Sequence, residues 1–128
     1  MSRPTEPRER ALEALYQADL RSVDDPAAGL SGKARRFVEG VMAHRETLDG
    51  YIDDASDHWA VHRMAAVDRA VLRLGAYELA FEPTTPRAVV ISEAVEMAKK
   101  YSTQRSGAFI NGVLAALAGI VRQEGPSS

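Results

Sequence analysis

The stretch MAAVDRAVLRLGAYELAF, residues 64–81, decides the fold. Its charged residues are Asp68, Arg69, Arg73 and Glu78, and apolar side chains cover most of the circumference of the helix that their spacing predicts. A surface helix keeps a single apolar stripe, so a helix this apolar is expected to be central, with neighbours on several sides. Gly75 in its middle costs about 1 kcal/mol of helix propensity against Ala. A close crossing by another helix is the expected reason for it. Pro83 and Pro86 then interrupt the chain.

Working outward, helical spacing recurs on both sides. Pro4 and Pro7 suit a first helical turn, where a missing N–H costs little. After them Ala11, Leu12, Leu15, Tyr16 and Ala18 form an apolar face, and Arg8, Glu9, Glu13 and Arg21 are expected to stay in water. Residues 24–29 read as a loop. Ser31 is the expected N-cap of a helix carrying Ala34, Phe37, Val38, Val41 and Met42; Leu48, Tyr51, Ile52 and Ala55 mark another. Beyond Pro86 a helix beginning somewhere before Ser92 carries Val90, Ile91, Ala94, Val95, Ala98 and Tyr101. Polar residues 102–107 separate it from a last helix with Phe109, Ile110, Val113, Leu114, Leu117 and Val121. Residues 88–91 lean toward strand but are too few to seed a sheet. The expectation is all-α, one domain over residues 1–128 with five to seven helices, and flexible ends at 1–6 and 123–128.

Composition narrows the function. With no Cys, disulfides, thiolate metal sites and Cys nucleophiles are excluded. No apolar run approaches the ~20 residues that span a bilayer, and no apolar segment follows Arg3 as in a secretory signal. A soluble, cytoplasmic protein is expected. The net charge of −2 is unevenly spread: residues 46–62 hold five acids and no Lys or Arg. Thirteen of the sixteen bases are Arg, which suits bidentate phosphate contact, although a GC-rich genome is the simpler account of that bias. Charge alone permits an RNA partner without arguing for one.

Asp54, His58 and His62 stand at i, i+4 and i+8, a spacing that on one continuous helix would stack them. Without an HExxH pattern the plainer reading is an exposed acid–His pair, and no metal is expected. Trp59 reads as a core anchor, with a stacking platform as the lesser alternative. There is no GxSxG, P-loop or GxGxxG, so neither catalytic residues nor a cofactor are expected. Lys33, Arg35 and Arg36 cluster on one helix, with a solvated face as the default reading. Arg69 and Arg73, one turn apart beside Asp68, are the only polar strip of the central helix. They read either as a solvated face or as a surface for a partner's phosphates and bases.

Several segments together resemble the NusB family of bacterial transcription antitermination factors: RERALEALYQAD (8–19), LDGYI (48–52), AVDRAVLRLGAYEL (66–79), VISEAVEMAKK (90–100) and FINGVL (109–114). The resemblance implies about six or seven helices in two packed bundles, without cofactor or catalysis. It implies a heterodimer with NusE, a small-subunit ribosomal protein. The pair binds single-stranded boxA RNA in ribosomal RNA transcripts and joins the RNA polymerase antitermination complex, with no membrane involved. Self-association of the free protein, as a homodimer, is left open. By position, the resemblance assigns Arg8, Tyr16, Arg69, Arg73, Phe109 and Asn111 to RNA and Asp68 to the protein partner. Phe109 could equally be core, Asn111 a helix-terminal hydrogen bonder, and Tyr16 a packed ring with a wet hydroxyl.

Two departures from the family pattern stand out. The usual Arg-rich arm reads RPTEPR (3–8) here, and the usually acidic loop before FINGVL carries Arg105. Arg105 is expected to contact RNA and to compensate in part for the weak arm. The depleted arm also motivates a second reading, a NusE-binding module without RNA affinity. A third, the RNA-binding part of a ribosomal RNA cytosine methyltransferase, is disfavoured because 128 residues leave no room for a catalytic domain.

Overall fold

The computed structural model describes residues 6–57 and 59–122. Among these the chain forms six α-helices and one 3-10 turn, with no strand. They are α1 (Pro7–Leu20), α2 (Gly32–Ala43), α3 (Arg45–Ala55), the 3-10 turn Val61–Arg63, α4 (Ala66–Phe81), α5 (Arg87–Tyr101) and α6 (Gln104–Val121). The β-leaning residues 88–91 lie inside α5. Residues 1–5, with the altered arm, and residues 123–128 lie outside the described residues, as does His58. No helix among the described residues is long and apolar enough to cross a membrane.

As its composition predicts, α4 is the hub. It packs against α1, α2, α3, α5 and α6. Residues 70–72 and 74–79 of α4 are all buried, Glu78 among them. The close crossing expected at Gly75 is made by α6: a Cβ there would stand 2.8 Å from Leu114 Cδ1. At the far end of α6, Arg122 donates to the carbonyls of Glu78, Leu79 and Glu82. It thereby adds donors to the last turn of α4, where helix carbonyls run short of intrahelical partners.

The α2–α4 contact rests on Tyr77. Its ring lies over Gly40, where any Cβ would collide with it. The Tyr77 hydroxyl donates to Glu82 Oε2 at 2.9 Å, and Arg36 donates to both oxygens of the same carboxylate at 2.9 and 3.1 Å. Phe81 stacks between Tyr77 and His44. Burial, and then the Glu82 carboxylate, push the Tyr77 phenol up to about 12. The fold therefore favours protonated Tyr77. That stability is complete below the ordinary value of 10.0 and is lost as pH rises toward about 12. In urea unfolding across this window, Tyr77→Phe is expected to flatten the decline in stability. A decline as steep as wild type would show that other groups cause it.

Three sequence expectations need correction. First, α6 starts at Gln104 rather than near Phe109, because the Thr103 hydroxyl accepts from the Ser106 N–H and caps it. Secondly, Trp59 is not a core anchor but 57% exposed. The chain leaves α3 through Asp57, with φ of 56°, and Ser56 Oγ donates to the Trp59 carbonyl at 2.7 Å, a local turn that leaves the indole in solvent. The same break puts Asp54 and His62 on different elements, so they share no continuous helical face. Thirdly, Arg8, expected in water, is 8% exposed. Its partner Glu78 lies seventy residues away in the sequence.

Candidate nucleic-acid interface

Arg8 leaves α1 toward α4, and its Nε and Nη2 donate to the two Glu78 oxygens, both at 2.8 Å. The side chains are 10% and 2% exposed. These hydrogen bonds raise the Arg8 pKa further above its ordinary value, against the opposing effect of burial. In this arrangement the guanidinium binds α1 to α4 through Glu78.

Arg69 and Arg73 are paired in the same way. Arg69 donates to Asp19 Oδ2 through Nε and Nη2, and through Nη1 to the Met64 carbonyl at 2.9 Å. Arg73 donates to both oxygens of Asp49 at 2.8 and 2.9 Å, and its Nη1 reaches Asp19 Oδ1 at 3.5 Å. The two arginine side chains are only 15% and 12% exposed. Burial opposes charge on Arg73, but Asp49 and Asp19 outweigh it and its pKa is raised. The strip that the α4 periodicity leaves polar is covered by carboxylates from α1 and α3. It ties three helices together.

Two grooves stay open beside this framework. One, of about 300 Å³, runs between Tyr16 of α1, Val67 of α4 and Tyr101 of α5. Tyr16 is half-buried there, as expected of a packed ring at the surface. The Tyr101 hydroxyl and Lys100 Nζ both donate to Glu9 at 2.8 Å. The Lys100 hydrogen bond comes first and the Tyr101 bond adds to it in holding the Glu9 carboxyl below its usual range, against burial.

The other groove, of about 240 Å³, brings together Trp59, Arg63, Asp68, Arg105, Ser106 and Phe109. Asp68 Oδ2 accepts from Ser106 Oγ at 3.0 Å, while Oδ1 is buried and has no hydrogen-bond partner among the described residues. Unmet buried acceptors are rare enough to point to a missing donor. Arg63 and Arg105 are exposed, and neither pairs with a described carboxylate. Phe109 is half-buried against the core and also lines this groove. Asn111 is exposed within α6, well past its N-cap, so it is not a helix-terminal hydrogen bonder.

Sequence reasoning missed Arg63 as a groove residue and ranked the stacking reading of Trp59 below burial. The two-residue proximity of an aromatic and a bridging turn carried no signal of exposure. It also missed Asp19 and Asp49, whose meeting with the α4 arginines depends on how α1 and α3 pack.

Known proteins agree with this architecture. The model of the NusB family matches residues 5–119. The transcription antitermination protein NusB of Anaeromyxobacter sp. (strain Fw109-5) is 46% identical over 123 residues, covering 86% of this chain and 85% of that protein. Its namesake from Clavibacter michiganensis subsp. michiganensis is 39% identical, covering 92% and 97%. The T. maritima NusB structure, form 2, superposes with a TM-score of 0.81 at 35% identity, covering 93% of each chain. A crystal structure of antitermination factors NusB and NusE in complex with dsRNA superposes with a TM-score of 0.78 at 28% identity, covering 89% of this chain and 94% of that one. With the helical order, the α4 hub and these matches in agreement, the chain belongs to the NusB family.

Proposed function

We propose that this protein is a transcription antitermination factor. It binds boxA-type single-stranded RNA of ribosomal RNA transcripts as a heterodimer with NusE, within the RNA polymerase antitermination complex of the cytoplasm. Its role is to bind rather than to catalyse. The observation that carries this reading is the groove where an unfilled acceptor, Asp68 Oδ1, sits among guanidiniums free of carboxylate partners. A protein partner supplies the donor to Asp68. Arg105, Phe109, Asn111 and Tyr16 form the RNA side, and Arg8, Arg69 and Arg73 hold the helices beneath them. The 28%-identical structure of NusB and NusE with RNA supports the pairing of ligands.

A second reading, a NusE-binding module without RNA selectivity, is favoured by one observation: three arginines assigned to RNA are drawn into ion pairs. Titration of boxA-type and scrambled RNA, with and without NusE and at two salt concentrations, separates the two. Tighter boxA binding in the presence of NusE, weakened by salt, supports the first reading. NusE binding without RNA selectivity supports the second.

Within the first reading Arg105→Asp is expected to weaken boxA binding several-fold. The slope of log affinity against log salt is expected to become shallower by about one. Unchanged affinity would remove Arg105 from the RNA side.

A further inference from the structure

We infer that Trp59, with Arg63 and Arg105 beside it, forms a base-stacking subsite that takes one unpaired nucleobase of a single-stranded nucleic acid. The inference rests on the RNA-binding reading above and adds residues that neither the resemblance nor the chain's periodicity assigns.

Presentation of the indole is the first argument. At 57% exposed, Trp59 is the most exposed large hydrophobic side chain among the described residues. Its backbone is nonetheless fixed. The Trp59 N–H donates to the Ser56 carbonyl at 3.2 Å and its own carbonyl accepts from Ser56 Oγ at 2.7 Å. Two residues on, the Val61 N–H donates to Asp53 Oδ1 at 2.9 Å. The indole thus stands on a tied turn, and ordering it on binding costs less than ordering a mobile loop.

Charge is the second argument. Arg63 and Arg105 line the same groove, are exposed, and have no ion-pair partner among the described residues. Exposed guanidiniums next to an aromatic face suit a strand whose phosphates stay at the rim while a base stacks inside. Asp68 sharpens the choice. Its half-buried carboxylate repels a phosphate from the groove interior, so a flat neutral base is the part that enters. A volume of about 240 Å³ has room for one base.

Trp59 is the only tryptophan in the chain, so its emission reports this site alone. The full chain is titrated with boxA-type single-stranded RNA, and with the same RNA as a duplex. Tryptophan emission and the anisotropy of end-labelled RNA are followed in parallel. The single strand is expected to quench Trp59 with the midpoint seen by anisotropy, and the duplex to quench it little. Trp59→Ala is expected to weaken single-strand binding about tenfold. Trp59→Phe should retain most of the affinity, and the calorimetric affinity for NusE alone should not change in either variant. Because the side chain is exposed, both variants are expected to melt as wild type.

Single-strand binding by anisotropy with unchanged emission and a normal Trp59→Ala overturns the subsite and leaves the RNA-binding function standing. Absence of RNA binding in wild type by both readouts, with NusE absent and with NusE present, overturns the function and the subsite together. Loss of NusE affinity in Trp59→Ala equal to the loss of RNA affinity assigns the indole to the protein partner and overturns the nucleobase.

Discussion

Glu78→Ala is expected to destabilise the protein by about 3–5 kcal/mol, and Arg8→Met by a similar amount, in urea unfolding at neutral pH. Each change removes one side of an ion pair whose members are 10% and 2% exposed. The group left behind keeps its desolvation cost and loses the two hydrogen bonds that offset it. The same argument predicts the reverse for the pair taken together. Arg8→Met with Glu78→Leu leaves no uncompensated charge and is expected to recover most of the loss, since a buried pair seldom outperforms apolar residues of similar volume. A double variant as unstable as the singles would mean that Arg8 stabilises the fold by something other than Glu78. The double variant also isolates Arg8 from its structural duty. If Arg8 acts only between α1 and α4, boxA affinity and its salt slope stay at wild type once the fold is restored.

The fold was legible in the sequence where apolar spacing alone determines the outcome. Residues 64–81 could only be central, because no single neighbour covers an apolar surface that wide, and Gly75 marked a crossing that Leu114 makes. Boundaries were less legible where a single hydrogen bond sets them: Thr103 caps α6, and nothing in the spacing of Phe109 and Ile110 reveals it. The site was legible only in part, for a different reason. An arginine on a helix has the same local sequence whether it faces solvent or a carboxylate of another helix. Asp19 lies fifty positions before Arg69, and Glu78 seventy after Arg8. Those pairings belong to the packing of α1 on α4, and charge periodicity along one helix cannot reveal them. Trp59 failed in the opposite direction. Its size argued for burial, and a turn of hydrogen bonds at Ser56 turned it outward.

Arg73 brings the two roles of arginine into one measurement. Arg73→Met is expected to cost about 2–3 kcal/mol of stability, less than for the Arg8 pair because Asp49 and Asp19 keep 24% and 17% exposure and some hydration. Its effect on RNA should be of another kind. A guanidinium already held by Asp49 at 2.8 and 2.9 Å and facing Asp19 releases no counterion when RNA arrives. Its removal should therefore leave the salt slope unchanged, provided that binding is measured at a temperature where the variant remains folded. Arg105→Ala should do the opposite, with stability near wild type and a slope shallower by about one. The contrast depends on the pairings, since the two residues carry the same charge. A slope made shallower by Arg73→Met would require the Asp49 and Asp19 contacts to open for phosphate, and the α1–α3–α4 junction to rearrange when RNA binds. The same result would return Arg73 to the RNA side. An unchanged slope in a folded Arg73→Met variant would leave α4 as the frame against which the residues proposed to bind RNA on α6 are held.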